Sequence, residues 1–431
     1  MHHFSANRQG QLCCEEYPLR EIARRTGTPV YVYSLATLEH HFRVFDEAFS
    51  AIPHIVCFSM KANSNGSVVR TFTRLGGGVD IVSGGELARA LAAGAPPKKI
   101  VYSGVGKQAR EIEEALRRGI LMFNVESREE LERIDAIAGR MRRRAPISIR
   151  VNPDVDPKTH PYISTGLKRN KFGIRIKQAV QDYEWAAKRR NIEVVGVDCH
   201  IGSQLTDLSP FLDAAGRVRR LVDRLLAKGM PIRYVDVGGG LGIRYNDELP
   251  PQPKEYAHAI VNAFRGLDIT LVLEPGRVLV GNAGVLVTEV LYTKKVPAAS
   301  GRGQHSFFIV DAAMNDLARP SLYGSYHAIL PVGKAPAGRV TADVVGPICE
   351  SGDFLAKDRT LPPFKSGDLL AVMSAGAYGF SMSSNYNSRP RAAEVMVSGD
   401  RCEVVRERET LRDVVVGERT ALFLKGQPKG K

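Results

Sequence analysis

The sequence predicts an α/β protein in which a (β/α)8 barrel of the TIM type is followed by a C-terminal all-β domain. Three observations predict it. Between residues 55 and 277 a short β-branched run, a turn and a stretch of helical periodicity recur eight times. Glycine-rich turns follow the seventh and eighth of these runs. After Arg277 helical periodicity gives way to β runs separated by Gly and Pro turns.

The expected barrel strands are residues 55–60, 79–82, 100–102, 122–125, 147–151, 194–199, 234–237 and 270–273. The clearest helical stretches between them are 111–118, 129–141, 211–228 and 255–265. An open doubly wound sheet is the alternative. It carries fewer repeats and a Gly-x-Gly-x-x-Gly turn near its start, whereas the comparable turn here, Gly238 to Gly242, is late and differently spaced. Strands of the second domain are expected at 285–296, 306–310, 340–345, 368–372, 392–398 and 401–405, with the early run 30–34 beside them. The division is then 1–35 packing with the β-domain, 36–280 for the barrel and 281–431 for the β-domain. A long stretch rich in loop-forming residues, centred on 154–168, follows the fifth strand and reads as a lid or a surface loop.

At 431 residues the chain exceeds one ordinary core, so two domains are the default. No apolar run is long enough to span a bilayer, and the first eight residues lack an apolar signal core, so the expected compartment is the cytoplasm. The six cysteines lack paired metal spacing and are expected as reduced thiols, with no metal site. The formal net charge of +14 is spread along the chain and accompanies no nucleic-acid module, so anionic small ligands are expected rather than nucleic acid.

A barrel places functional groups at the C-terminal ends of its strands and commonly binds phosphate after strands seven and eight. Gly238, Gly239 and Gly240 follow strand seven, and Glu274-Pro275-Gly276-Arg277 follows strand eight. Lys61 ends strand one, which lies beside strand eight once the barrel closes. Glycines let backbone N–H groups approach a phosphate, a strand-end amine can take an aldehyde, and a carboxylate can hold a pyridine nitrogen protonated. Together these indicate pyridoxal 5'-phosphate. The amine must be unprotonated to react, so burial and nearby cations are expected to lower the pKa of Lys61. His200 at the end of strand six can lie against one ring face, and Ser203 can donate to phosphate. In the second domain Arg319 and Tyr323 offer a fixed fork and a phenol, Cys349 and Glu350 a proton donor beside a carboxylate, and Tyr378 a phenol on a tight turn. Read singly, each of these second-domain groups is better read as structural, and they gain a functional reading only if that domain covers the barrel mouth.

At these motifs the chain resembles the diaminopimelate decarboxylase family, fold-type III pyridoxal phosphate enzymes related to alanine racemase and eukaryotic ornithine decarboxylase. The resemblance spans nearly the whole chain and includes Phe58 to Ser64, Val82 to Glu86, Thr159 to Gly166, Lys171 to Gly173, His200 to Gln204, Gly238 to Gly242, Glu274 to Arg277, Pro347 to Asp353 and Gly376 to Gly379. It implies a head-to-tail homodimer with its active sites at the interface. Lys61 would carry the cofactor and His200 would stack on its ring. Gly240 and the Glu274–Arg277 segment would bind the cofactor, and Tyr378 would touch both cofactor and substrate. Arg277, Arg319 and Tyr323 would hold the far part of meso-diaminopimelate. Cys349, as proton donor, and Glu350, toward the far ammonium, would come from the partner subunit.

One departure is Asp198, where relatives often carry histidine; strand alternation turns this position away from the ring. Rival readings are a racemase, which pairs the pyridine nitrogen with arginine, and a decarboxylase of ornithine, arginine or carboxynorspermidine. A third is a cofactor carrier without catalysis, of the kind that lacks the β-domain.

Overall fold

The structure is a computed structural model describing residues 2–156, 171–297 and 304–424. Most of the expected 154–168 loop lies outside them. Eight parallel strands, His54–Ser59, Gly78–Ile81, Ile100–Tyr102, Met122–Val125, Ala145–Asn152, Ile192–Asp198, Tyr234–Asp236 and Thr270–Leu273, form the barrel. Residues 271–273 of the eighth pair with 54–56 of the first, which closes it. The expected strands hold to within a few residues at each end.

The helices between strands form where side chains satisfy the open N–H groups of their first turns. Ser83 and Ser127 accept from the N–H groups of Glu86 and Glu130, and those glutamates reach back to the N–H groups of Val82 and Glu126. The helix Leu35–Ala48 buries Leu38, Phe42 and Phe45, and Phe42 stacks on Phe72 at 5.7 Å. No helix among the described residues is long and apolar enough to cross a membrane.

Inside the barrel, side chains form two layers. Toward the N-terminal ends of the strands, Cys57, Val101, Met122, Val195 and Val272 make an apolar plug. Toward the C-terminal ends, Ser59, Asp80, Ser103, Asn124, Ser148, Asp198, Asp236 and Glu274 are polar and buried. The plug supplies packing; the polar layer faces the mouth.

The second domain is built on the 14-residue strand Gly284–Pro297. It pairs antiparallel with Val30–Ser34, Gln304–Val310 and Leu369–Val372, and Ala393–Ser398 runs parallel to Val30–Ser34. A small sheet of residues 4–6, 12–14 and 17–18 lies against it through the bond from Leu12 N–H to the Val332 carbonyl, 2.8 Å. Where the domains meet, Gly376 is so tightly set that a Cβ there would collide with the Val280 carbonyl. Asn63 Nδ2 donates to the Gly376 carbonyl at 3.1 Å and the Tyr378 N–H to the Ala62 carbonyl at 2.8 Å. These bonds bring the Tyr378 turn to the residue next to Lys61.

Candidate active site

Lys61 lies in a 3-10 turn, Met60–Ala62, directly after the first strand. Its half-buried Nζ donates to Asp80 Oδ2 at 2.7 Å, and Ser59 Oγ donates to the same oxygen at 2.9 Å. The expected lowering of its pKa is not found. Burial pushes the ammonium toward its neutral form, but Asp80, Glu274 and Tyr378 outweigh it and hold the pKa above the ordinary lysine value. The sequence reading supplied cations for this position, whereas the fold supplies a buried carboxylate.

Glu274 is 3% exposed, and Ser103 Oγ and Asn124 Nδ2 each lie 3.2 Å from its Oε1. Burial, then the charge of Asp80, pushes its pKa up to about 7 against the pull of Lys61 and Arg150. The carboxylate oxygens of Asp198, Asp236 and Glu274 lie within 4.8 Å of one another. Burial, then Glu274, pushes the pKa of both Asp198 and Asp236 well up. So many carboxylates in one dry space cannot all be ionised, because Arg150, the nearest guanidinium, is already paired with Glu126 at 2.7 Å. The expectation that Asp198 points away from the site is therefore corrected. Asp198 stands two residues before His200, and alternation puts residues two apart on one face.

His200 Nδ1 accepts from the Gly239 N–H at 3.0 Å, so its proton sits on Nε2 when the ring is neutral. Burial, then Arg150 and Lys61, holds its pKa well below the ordinary value, which keeps it neutral. Gly239 is thus a donor to His200, and a Cβ on it would collide with the Glu274 carbonyl. Gly240 at φ +113° and Gly276 donate to no protein acceptor among the described residues. A Cβ on Gly240 would lie 2.5 Å from the Gly202 carbonyl, and one on Gly276 would press on Ser59 and Ala62. Pro275 ties the turn after strand eight to the end of strand one, its carbonyl accepting from the Ser59 N–H at 3.0 Å.

Arg277 and Arg319 are each 5% exposed. Arg277 donates to Tyr245 OH at 2.7 Å and to Ser203 Oγ at 2.9 Å, and its guanidinium lies 4.8 Å from the Tyr378 ring centroid. Arg319 donates to His327 Nε2 at 3.4 Å and Ser325 Oγ at 3.2 Å and lies 5.0 Å from the Tyr245 ring. Tyr323 acts electrostatically on both arginines. Neither guanidinium has a carboxylate partner among the described residues, an unusual state for buried charge.

Lys61, His200, Ser203, Gly239, Gly240, Glu274, Pro275, Gly276, Arg277, Tyr378, Arg319 and Tyr323 thus gather around the barrel mouth. Cys349 and Glu350 do not join that hydrogen-bonded cluster. They are exposed on a turn where the Cys349 N–H donates to Asn387 Oδ1 at 3.1 Å and Tyr386 OH donates to Glu350 at 2.8 Å. Asp353 braces the turn by accepting from the Ile348 and Met314 N–H groups. Sequence reasoning missed Asp80, Ser103, Asn124, Asp236, Tyr245 and His327. A polar residue near the end of several apolar strands was the available signal for the first four; Tyr245 and His327 sit in loops with none.

The amine, the carboxylate below it and two glycine N–H groups in places a Cβ would fill match the aldehyde, the pyridine nitrogen and the phosphate of pyridoxal 5'-phosphate. Fold and site define a barrel-type pyridoxal phosphate enzyme. Residues 35–281 match the family model "Pyridoxal-dependent decarboxylase, pyridoxal binding domain". The chain is 54% identical over 412 residues to a diaminopimelate decarboxylase of Vibrio cholerae, covering 95% of this chain and 97% of that one. The solved diaminopimelate decarboxylase of Helicobacter pylori, complexed with L-lysine, superposes with a TM-score of 0.88 at 46% identity, covering 92% of this chain and 98% of that one. The solved enzyme of M. jannaschi superposes with a TM-score of 0.92 at 37% identity, covering 98% and 99%. The chain belongs to the diaminopimelate decarboxylase family of pyridoxal-dependent decarboxylases, and its cofactor is pyridoxal 5'-phosphate.

Proposed function

We propose that the chain removes CO2 from meso-2,6-diaminopimelate to give L-lysine, the last step of lysine biosynthesis, as a cytoplasmic homodimer. The observation that carries this reading is the pair of buried guanidiniums without carboxylate partners, Arg277 and Arg319. A substrate with a second carboxylate at its far end completes them, and ornithine has none. Glu274, rather than an arginine, stands where the pyridine nitrogen is to be held, which favours loss of CO2 over racemisation.

When bound, pyridoxal 5'-phosphate supplies the electron sink for the carbanion that loss of CO2 leaves. Lys61 holds the aldehyde, and Asp80 takes up the positive charge of the amine. Glu274, presented by Ser103 and Asn124, holds a proton between itself and the pyridine nitrogen. Neutral His200 covers one face of the ring and excludes water there. Gly240, Gly276 and Ser203 would bind the phosphate, Pro275 ties their turn to the strand that carries Lys61, and Gly239 aligns His200. Arg277, Arg319, Tyr323 and Tyr378 would hold and orient the far end of the substrate. Cys349 and Glu350, exposed in one chain, would enter the partner's barrel mouth, where the Cys349 thiol would be the proton donor and Glu350 would meet the far ammonium.

A substrate panel read by CO2 release, with and without added cofactor, tests this reading. Release from diaminopimelate and not from ornithine or arginine is expected; equal release from ornithine would overturn it.

A further inference from the structure

His327 is fully buried. Its Nδ1 lies 2.8 Å from the Met373 carbonyl, an acceptor, so Nδ1 carries the proton. Nε2 is therefore the lone-pair nitrogen, and it faces the Nε–H of Arg319 at 3.4 Å. Ser325 Oγ takes one Nη2 proton at 3.2 Å. Both contacts lie along one side edge of the guanidinium. No described hydrogen bond uses Nη1, so the end of the fork, Nη1 with the second Nη2 proton, is left for a ligand. Tyr245 fixes the plane from the other side, 5.0 Å from the guanidinium and edge-on to the His327 ring at 5.3 Å and 74°.

We propose that His327 is a positioning and specificity residue: its ring holds the side edge of Arg319 so that the fork meets the far carboxylate of the substrate end-on. A carboxylate in place of His327 would neutralise Arg319 and compete with the substrate; an apolar residue would let the fork rotate. A neutral imidazole orients the guanidinium without consuming its charge. Burial, then Arg319, pushes the pKa of His327 down to about 3, so it stays neutral across the working range. The groups facing it are Arg319, Arg277, Arg359, Tyr245 and the Met373 carbonyl, and none is an anion that would draw a proton onto it.

The proposal rests on Arg319 being the far-carboxylate ligand, and the test separates the two. L-Lysine keeps one carboxylate and cadaverine has none, so their inhibition constants and the shifts they cause in the holoenzyme's melting temperature are compared. In His327→Phe, which keeps the ring volume and removes the acceptor, lysine is expected to bind roughly ten-fold more weakly while cadaverine changes less than two-fold, the loss of one hydrogen bond to a charged group. His327→Gln, which offers an oxygen near the lost nitrogen, is expected to lose less and serves if the phenylalanine variant does not fold. Lysine affinity should show no histidine inflection between pH 5 and 8. If Arg319→Gln discriminates lysine from cadaverine and both His327 variants do not, the role of His327 is overturned alone. If Arg319→Gln does not discriminate either, the far-carboxylate reading falls with it.

Discussion

Lys61 and Cys349 are both reactive side chains, and the chain houses them in opposite ways. Lys61 sits above a barrel lumen whose polar groups are tied to one another: Asp80 to Ser59, Glu274 to Ser103 and Asn124, Asn124 to Asp236. Cys349 sits on an exposed turn whose backbone is braced by Asp353 but whose thiol and neighbouring Glu350 face outward. A cofactor needs fixed donors and a dry pocket, which one chain can build from its own strand ends. A proton donor that must approach a bound substrate can be supplied by a second surface. On the proposed reading, one chain holds the cofactor and the far-carboxylate arginines and presents Cys349 and Glu350 to a partner.

The largest effect comes from breaking the two halves separately. Lys61→Ala and Cys349→Ala are each expected to lower CO2 release by orders of magnitude, with cofactor absorbance kept in Cys349→Ala. Refolded or co-expressed together they should recover about a quarter of the parental activity, because half the dimers are mixed and each mixed dimer has one intact site. No recovery would place both residues in one chain's site.

A second effect concerns the buried half alone. The pKa of Glu274 is raised when folded, so the folded chain binds a proton more tightly than the unfolded one. The resulting stability is fully present below pH 4.5 and is lost as pH rises through about 7. Glu274→Gln removes that dependence. The cofactor-free variant should match the parent near pH 4.5 and exceed it at pH 8 by up to about 3 kcal/mol in denaturant titrations. Its kcat should nevertheless fall by orders of magnitude, since an amide cannot carry the countercharge of the pyridinium. A variant less stable than the parent at pH 8 would mean that Glu274 is ionised and well paired.

The smallest effect sharpens the exposed half. Tyr386→Phe removes the hydroxyl that steadies Glu350. Water competes for this contact on a solvated surface, so KM for diaminopimelate should rise only a few-fold with cofactor binding unchanged. A change in cofactor affinity would contradict the separation of the two halves.

The same contrast explains what could be read from the sequence. Lys61, Glu274 and the two glycine turns were legible because each stands at the end of a β-branched run, and the eight runs imply closure. Asp80, Asn124 and Asp236 stand at matching positions, but a single polar residue in a strand does not announce that it will meet three others across a lumen. Asp198 was misread because it stands two residues before His200, and alternation puts residues two apart on one face. The raised pKa of Lys61 was missed because the opposing charges come from other strands, Asp80 on the second and Glu274 after the eighth. Tyr245 lies in the loop after strand seven and His327 in a connection of the β-domain, and only their meeting around Arg319 gives them a role.

The central claim is that the amine of Lys61, at the mouth of this barrel, carries the coenzyme. Treating the purified holoenzyme with borohydride fixes the coenzyme to the amine that holds it, and mass spectrometry of the digest then locates it. The coenzyme is expected on the peptide containing Lys61 and on no other; its appearance on a different lysine, or its absence from every peptide, would contradict the account.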